Sequence, residues 1–189
     1  MMLFVRRPSD DVLDRLLDQA RDAEPTYAEV GTTLGDDLPT SYRHDLDEAS
    51  IGTGQEAFGL AVAALRRWQA QIGAGIDVIP RGATVAEGET VLLLIRAAGL
   101  WTVAPCRVVY TVAEPELFRF AYATLPGHPE QGEASFAVSR TAEDDVLMRL
   151  ASFSRPVDPL ARLAKPLTRR IQRRVTLRYV DALREAVTL

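Results

Sequence analysis

The chain has 189 residues, 47% of them apolar and 25% charged, with a net charge of −4. That composition fits one folded domain with a substantial core and excludes a disordered chain. A single cysteine, Cys106, excludes an internal disulfide and a cysteine-based metal cluster. The longest apolar stretch, starting at Val91, is broken by Arg96, well short of the roughly 20 residues a membrane span needs. The first residues place the basic pair Arg6 and Arg7 after the apolar ones, the reverse of a secretory signal. A cytoplasmic protein with neither metal nor cofactor is therefore expected.

In chain order, Ser9 or Asp10 should cap a first helix with its apolar stripe at Val12, Leu13, Leu16, Leu17 and Ala20. A loop rich in Gly, Asp and Thr follows, with a short strand predicted around Tyr42 to Leu46. Phe58, Val62, Leu65 and Trp68 or Gln69 then lie at helical spacing, which predicts one helix capped by Thr53 and Glu56 and ended by Gly73. After Gly75 the pattern turns two-fold. Six short segments rich in Val, Ile, Phe and Tyr follow at hairpin spacing. Phe118, Phe120 and Tyr122 share one face of their strand. A final helix is expected from about Pro159 to Ala186, bent or restarted at Pro166. These elements predict an α+β fold: six or seven antiparallel strands in a curved sheet around a long C-terminal helix.

Acidic side chains crowd the first fifty residues, and basic ones crowd the segment after Arg155. Because the whole chain is acidic, attraction between its two ends is the favoured reading. Arg169, Arg170, Arg173 and Arg174 form a basic helix back, but the net charge and the lack of an aromatic platform argue against nucleic acid.

The stretches "TYAEVG", "GTGQEAFGLAVAALRRW", "CRVVYTV", "FAYATLPGHPEQGEASFAV" and "ASFSRPVDPLARLAKPLTRRIQ" resemble the DUF1990 family, also labelled UPF0548. The resemblance runs from about Tyr27 to the last helix. It divides a single domain into an N-terminal helical extension, 1–26, and a DUF1990-like part, 27–189. It implies no established activity. More loosely it implies kinship with helix-grip domains of the Bet v 1 and START type, in which a bent sheet grips the last helix around an apolar cavity. This chain departs from the family pattern at Ala123 and Ala134, where Gly and a second Glu are usual. A role that needs that second acid does not carry over.

The residues that could act cluster around "TLPGHPEQGE". His128 can serve as base or acid, and Glu130 or Glu133 could fix its tautomer. Glu133 and Tyr122 complete a catalytic candidate set with His128. One imidazole and two carboxylates are too few reliable ligands for a metal. On strands curving round a cavity, Arg107, Tyr110, Tyr122, His128, Glu130 and Arg155 would present polar tips to a ligand. The favoured function is binding of a small apolar or amphipathic molecule between the sheet and the last helix. The alternatives are an enzyme using His128, Tyr122 and Glu133, and a protein-interaction module without a cavity. The "TLPGHPEQGE" segment itself is expected to be a rigid rim turn, with His128 partly exposed.

Overall fold

The computed structural model describes residues 1–35, 37–97, 99–157 and 165–188, and of residues 165–173 the backbone alone. The described strands form one antiparallel sheet. They are β1 (Met2–Phe4), β2 (Arg43–Thr53), β3 (Asp77–Ile79), β4 (Thr90–Ala97), β5 (Leu100–Glu114), β6 (Leu117–Thr124), β7 (Glu130–Arg140) and β8 (Asp145–Pro156). Their order is β2-β8-β7-β6-β5-β4-β3, with β1 beside the first part of β5. The sheet has eight strands where the sequence predicts six or seven. The added one is β1, a three-residue strand too short to show alternation.

The two-fold pattern becomes two distinct faces. Val91 and Leu93 of β4 join the main core, while Leu92 and Leu94 lie in a second cluster under helix α1 (Asp10–Arg21). A strand covered on both sides reads as a continuous apolar run, which is why "VLLLI" does not alternate. Leu13, Leu17 and Ala20 are the buried stripe of α1. Its Ser9 accepts from the Val12 and Leu13 amides through the backbone carbonyl and makes no side-chain cap.

The helix expected from Thr53 to Gly73 is two helices, α2 (Gly54–Arg66) and α3 (Gln69–Gly73). Trp68 breaks it with a left-handed φ of 59°. That conformation costs about 1–2 kcal/mol. Burying an indole of about 150–250 Å² contributes about 4–6 kcal/mol at roughly 25 cal/mol per Å² and outweighs it. Trp68 packs edge-on to Phe120 at 5.3 Å and lies 6.0 Å from Tyr122. Thr53 stays in β2 and its side chain does not cap α2, so the expected capping box is absent.

Helix α4 (Lys165–Val187) packs on α2, α3 and β2. The crossing with α3 is close: a Cβ on Gly73 would meet the Ala182 Cβ at 2.4 Å. Tyr179, Val180 and Leu183 are buried, and the Tyr179 ring stands edge-on to Phe136 at 5.3 Å. The expected start of this helix, Pro159 to Ala164, lies outside the described residues. Pro166 falls in the first described turn of α4. At one margin of the sheet, β2 exposes Arg43, Asp47 and Glu48. Arg184 of α4 reaches it, donating to the Ser50 carbonyl at 2.9 and 3.1 Å.

Candidate functional site

The outer face of the sheet, opposite α2 and α4, is built around Glu133. Gly132, at φ +149°, lets β7 press against β8 so closely that a Cβ there would stand 1.9 Å from the Phe153 carbonyl oxygen. Glu133 follows, 2% exposed, paired in register with Phe153 and Ala123. The segment after α1 wraps over it. Gly31, at φ +85°, opens a single 3₁₀ turn, Thr32–Leu34, that aims backbone N–H groups at the carboxylate. Oε2 accepts from the Tyr27 hydroxyl and the Gly31 amide, each at 2.6 Å. Oε1 accepts from the Thr33 amide at 3.0 Å and from the Thr33 hydroxyl. Four donors on two oxygens satisfy a buried carboxylate without a cation. Burial, and then the neighbouring Glu133 charge, push the Tyr27 phenol up, so it remains a donor.

The other outer-face residues serve the same strap. The Tyr110 hydroxyl lies 2.9 Å from the Thr33 hydroxyl and donates to Ser135 at 3.1 Å. Arg107 donates to the Ala20 and Arg21 carbonyls at 2.9 Å and to Thr90 at 3.1 Å. It thus closes the C-terminal end of α1, where a cation is favoured. Gln131 donates to the Thr26 carbonyl and accepts from Arg155 at 2.6 Å, and the Arg155 guanidinium stacks 4.7 Å over the Tyr42 ring. Arg107 and Arg155 are therefore engaged within the protein.

His128 lies in the turn between β6 and β7, closed by its amide donating to the Leu125 carbonyl at 3.1 Å. The ring is half-buried. Its Nδ1 stands 2.8 Å from the Glu130 carbonyl and 3.0 Å from the Glu130 amide. Protonated, that nitrogen donates to the carbonyl; bare, it accepts from the amide. Burial first, opposed by the Glu130 backbone and assisted by the N-terminal ammonium, lowers its pKa to about 4. Glu130 is raised by burial, against the pull of the Ser154 hydroxyl and Arg43.

The catalytic set is not brought together. Tyr122 pairs with Ala134 and Glu133 with Ala123, so Tyr122 and Glu133 point from opposite faces of the sheet. Between described residues, the ring nitrogens of His128 contact the Glu130 backbone and neither of those side chains. Cys106 is fully buried, with its thiol pushed up by desolvation and donating to the Ala104 carbonyl at 3.6 Å. Among the described residues no three His, Cys, Asp or Glu side chains gather as a metal site.

The inner face is different. Phe118, Phe120, Tyr122 and Phe136 form an aromatic sheet surface, with Trp68 and Tyr179 packed on it. Among the described residues the buried Trp68 indole Nε1 has no hydrogen-bond partner, and the same holds for both amide atoms of Gln71. Both residues are 0% exposed. Burial pushes the Tyr122 and Tyr179 phenols up, and each stays a neutral hydroxyl. Buried polar atoms without partners are rare enough in folded proteins to need a reason. Sequence reasoning missed Gln71, whose place in a helix end carries no signal of burial. It also missed Thr33, which bonds a residue one hundred positions away.

Comparison with known proteins places this geometry. Residues 26–182 match the family model described as a domain of unknown function, DUF1990. A UPF0548 protein of Deinococcus radiodurans is 32% identical, over 96% of this chain and 97% of the relative. One from Dictyostelium discoideum is 27% identical, over 98% and 96%. Among solved structures, a START superfamily protein from Mycobacterium smegmatis superposes with a TM-score of 0.55 at 14% identity, covering 77% of this chain and 97% of that one. A protein from Thermus thermophilus gives 0.55 at 13% identity, with the same coverage. These likenesses concern the fold: an antiparallel sheet with a C-terminal helix, of START or helix-grip kind.

Proposed function

The chain belongs to the DUF1990 family, and from that premise we propose that it binds a small, uncharged, amphipathic molecule between the inner face of the sheet and α4. In this reading the sheet curves around the last helix as in helix-grip domains. The observation that carries it is the set of orphaned polar atoms: Trp68 Nε1, on a ring packed against the aromatic surface, and the buried amide of Gln71 three residues further along the chain. A buried hydrogen-bonding group left unmade costs about 1–3 kcal/mol. A ligand that offers an acceptor to the indole and complementary groups to the amide would recover that cost. The ligand's polar end is neutral, because Glu133 is the only buried charged side chain among the described residues and it faces the other way. Burying an unpaired charge against phenols and an amide would be far more costly than burying a hydroxyl or carbonyl. The similarity to the START superfamily fold supports the grip geometry and names no ligand.

Of the predicted ligand-binding residues, Tyr122 is the one this reading retains at the ligand. The experiment is native mass spectrometry of protein purified from its own cells. A retained neutral mass that is lost in Gln71→Leu is expected. A wild-type protein with no added mass, and ordered water on Trp68 and Gln71 in a crystal, would overturn the proposal.

A further inference from the structure

A hollow opens at the other margin of the sheet. It is a cleft of about 480 Å³ between the α2–α3 junction and β3, with Arg67, Trp68 and Ile72 on one side and Val78, Ile79 and Arg81 on the other. Its shape follows from local structure already described. The left-handed Trp68 ends α2 and turns the chain into a helix of only five residues. Strand β3 is three residues long and has β4 as its sheet neighbour, and no other described strand pairs with its second edge. The Val85 amide donates to the Arg66 carbonyl at 2.8 Å and ties the β3–β4 connection to the end of α2.

The cleft joins two properties that surfaces usually keep apart. Its floor is apolar: Val78 and Ile79 are buried there, and Ile72 is left 45% exposed. Its rim carries two exposed guanidiniums, Arg67 and Arg81, which make no ion pair, side-chain hydrogen bond or ring contact among the described residues. Their neighbours are committed. Arg66 lies 4.4 Å over the Phe118 ring, and the carboxylate of Asp77, also at the cleft, faces Arg7 at 3.6 Å. An apolar floor under uncommitted cations suits one class of molecule. A guanidinium donates two parallel N–H groups, in plane, to two oxygens of a carboxylate or a phosphate, and the floor takes the body attached to it. The volume lies within the range of small-molecule sites.

We infer that this cleft is a binding site for a small amphipathic anion, a carboxylate or phosphate monoester on a short apolar body, held by Arg67 and Arg81 over Ile72, Val78 and Ile79. It shares Trp68 with the inner-face site and differs from it in selecting an anion.

The test uses the full chain with decanoate and decyl phosphate as probes and decanol as the neutral control. Binding is followed by calorimetry and by methyl NMR of Ile72, Val78 and Ile79. Both anions should shift those three methyls, and decanol should not. The double variant Arg67→Gln/Arg81→Gln should weaken anion binding by about tenfold or more, the loss expected when charge-assisted hydrogen bonds are removed. Tyr122→Phe, on the inner face, should leave it unchanged, which keeps this inference separable from the proposed function. Shifts confined to inner-face methyls, or equal affinity in the double variant, would overturn it. So would arginine-dependent sedimentation with anionic phosphatidylglycerol vesicles if the monomeric anions gave no methyl shifts, because the cation pair would then serve a membrane surface.

Discussion

The two faces of the sheet handle buried polarity in opposite ways. On the outer face Glu133 is ringed by four donors from Tyr27, Gly31 and Thr33. In the segment whose Trp68 packs on the inner face, three polar atoms of Trp68 and Gln71 are buried with no partner among the described residues. A saturated carboxylate has no lone pair left for a substrate, whereas an unsaturated amide is costly until something binds it. The conspicuous acid of the "GHPEQGE" stretch is therefore a fastener, and the inconspicuous glutamine of a five-residue helix is the group left with bonds to make.

The strongest way to break the comparison is Gly132→Ala. A Cβ at that position meets backbone atoms of Phe153 and Ser154 at 1.9 to 2.9 Å, at a φ that L residues rarely adopt. The β7–β8 pairing has to part, and the loss should exceed about 4–5 kcal/mol. We expect little folded protein; a normal urea transition would show that the close approach is dispensable.

Glu133→Ala comes next. It orphans the Tyr27 hydroxyl and the Gly31 and Thr33 amides, at about 1–3 kcal/mol for each donor left buried. Partial access of water to the loosened strap brings the expected loss to about 3–5 kcal/mol in equilibrium urea unfolding. A loss below about 1 kcal/mol, the size of an ordinary substitution, would mean that the strap is held by something else.

Gln71→Leu should act with the reverse sign. In ligand-free protein it replaces an unpaired buried amide with an apolar group of similar size, so stability should rise by about 1–2 kcal/mol. A decrease in the ligand-free protein would show that the amide has a partner there, and the contrast between the faces would collapse.

The smallest effect concerns His128. Its folded pKa of about 4 lies below the ordinary 6.5, so the unfolded chain binds the extra proton first. The contribution to stability is complete above pH 6.5 and is lost as pH falls towards 4. The ring is half-buried, so solvent moderates the loss. Stability of wild type minus that of His128→Asn, measured from about pH 7.5 to about pH 4, should decline through that window. A flat difference would show that the ring is not desolvated enough to matter.

The strands from β3 to β8 were legible because a half-buried strand must alternate, and a strand covered on both faces must run apolar. The turn at His128 was legible from Pro126, Gly127 and Pro129. What escaped has a common physical cause. Trp68 adopts a left-handed backbone because its ring finds Phe120 and Tyr122, a contact no local pattern announces. Glu133 is satisfied mainly through groups about one hundred residues earlier, two of them backbone N–H, and backbone donors leave no trace in residue identity. Tyr27 stood in the "TYAEVG" stretch that carried the family resemblance, but nothing in that stretch names its partner. The polar tips expected on a cavity wall, Arg107, Tyr110 and Arg155, sit on strands as predicted. Strand parity does not say which face is covered by a loop that uses them up.

The strand at the margin next to β8 has a bearing on whether copies of the protein can pair edge to edge. An eleven-residue edge strand is a template on which another chain can add a strand. β2 counters this with Asp45, Asp47 and Glu48 along its length and with Arg184 reaching over to Ser50. Those carboxylates repel an identical edge. Strand-to-strand association, seen as light scattering and thioflavin binding, should therefore be absent from the wild type and appear when Asp47→Asn and Glu48→Gln remove that repulsion.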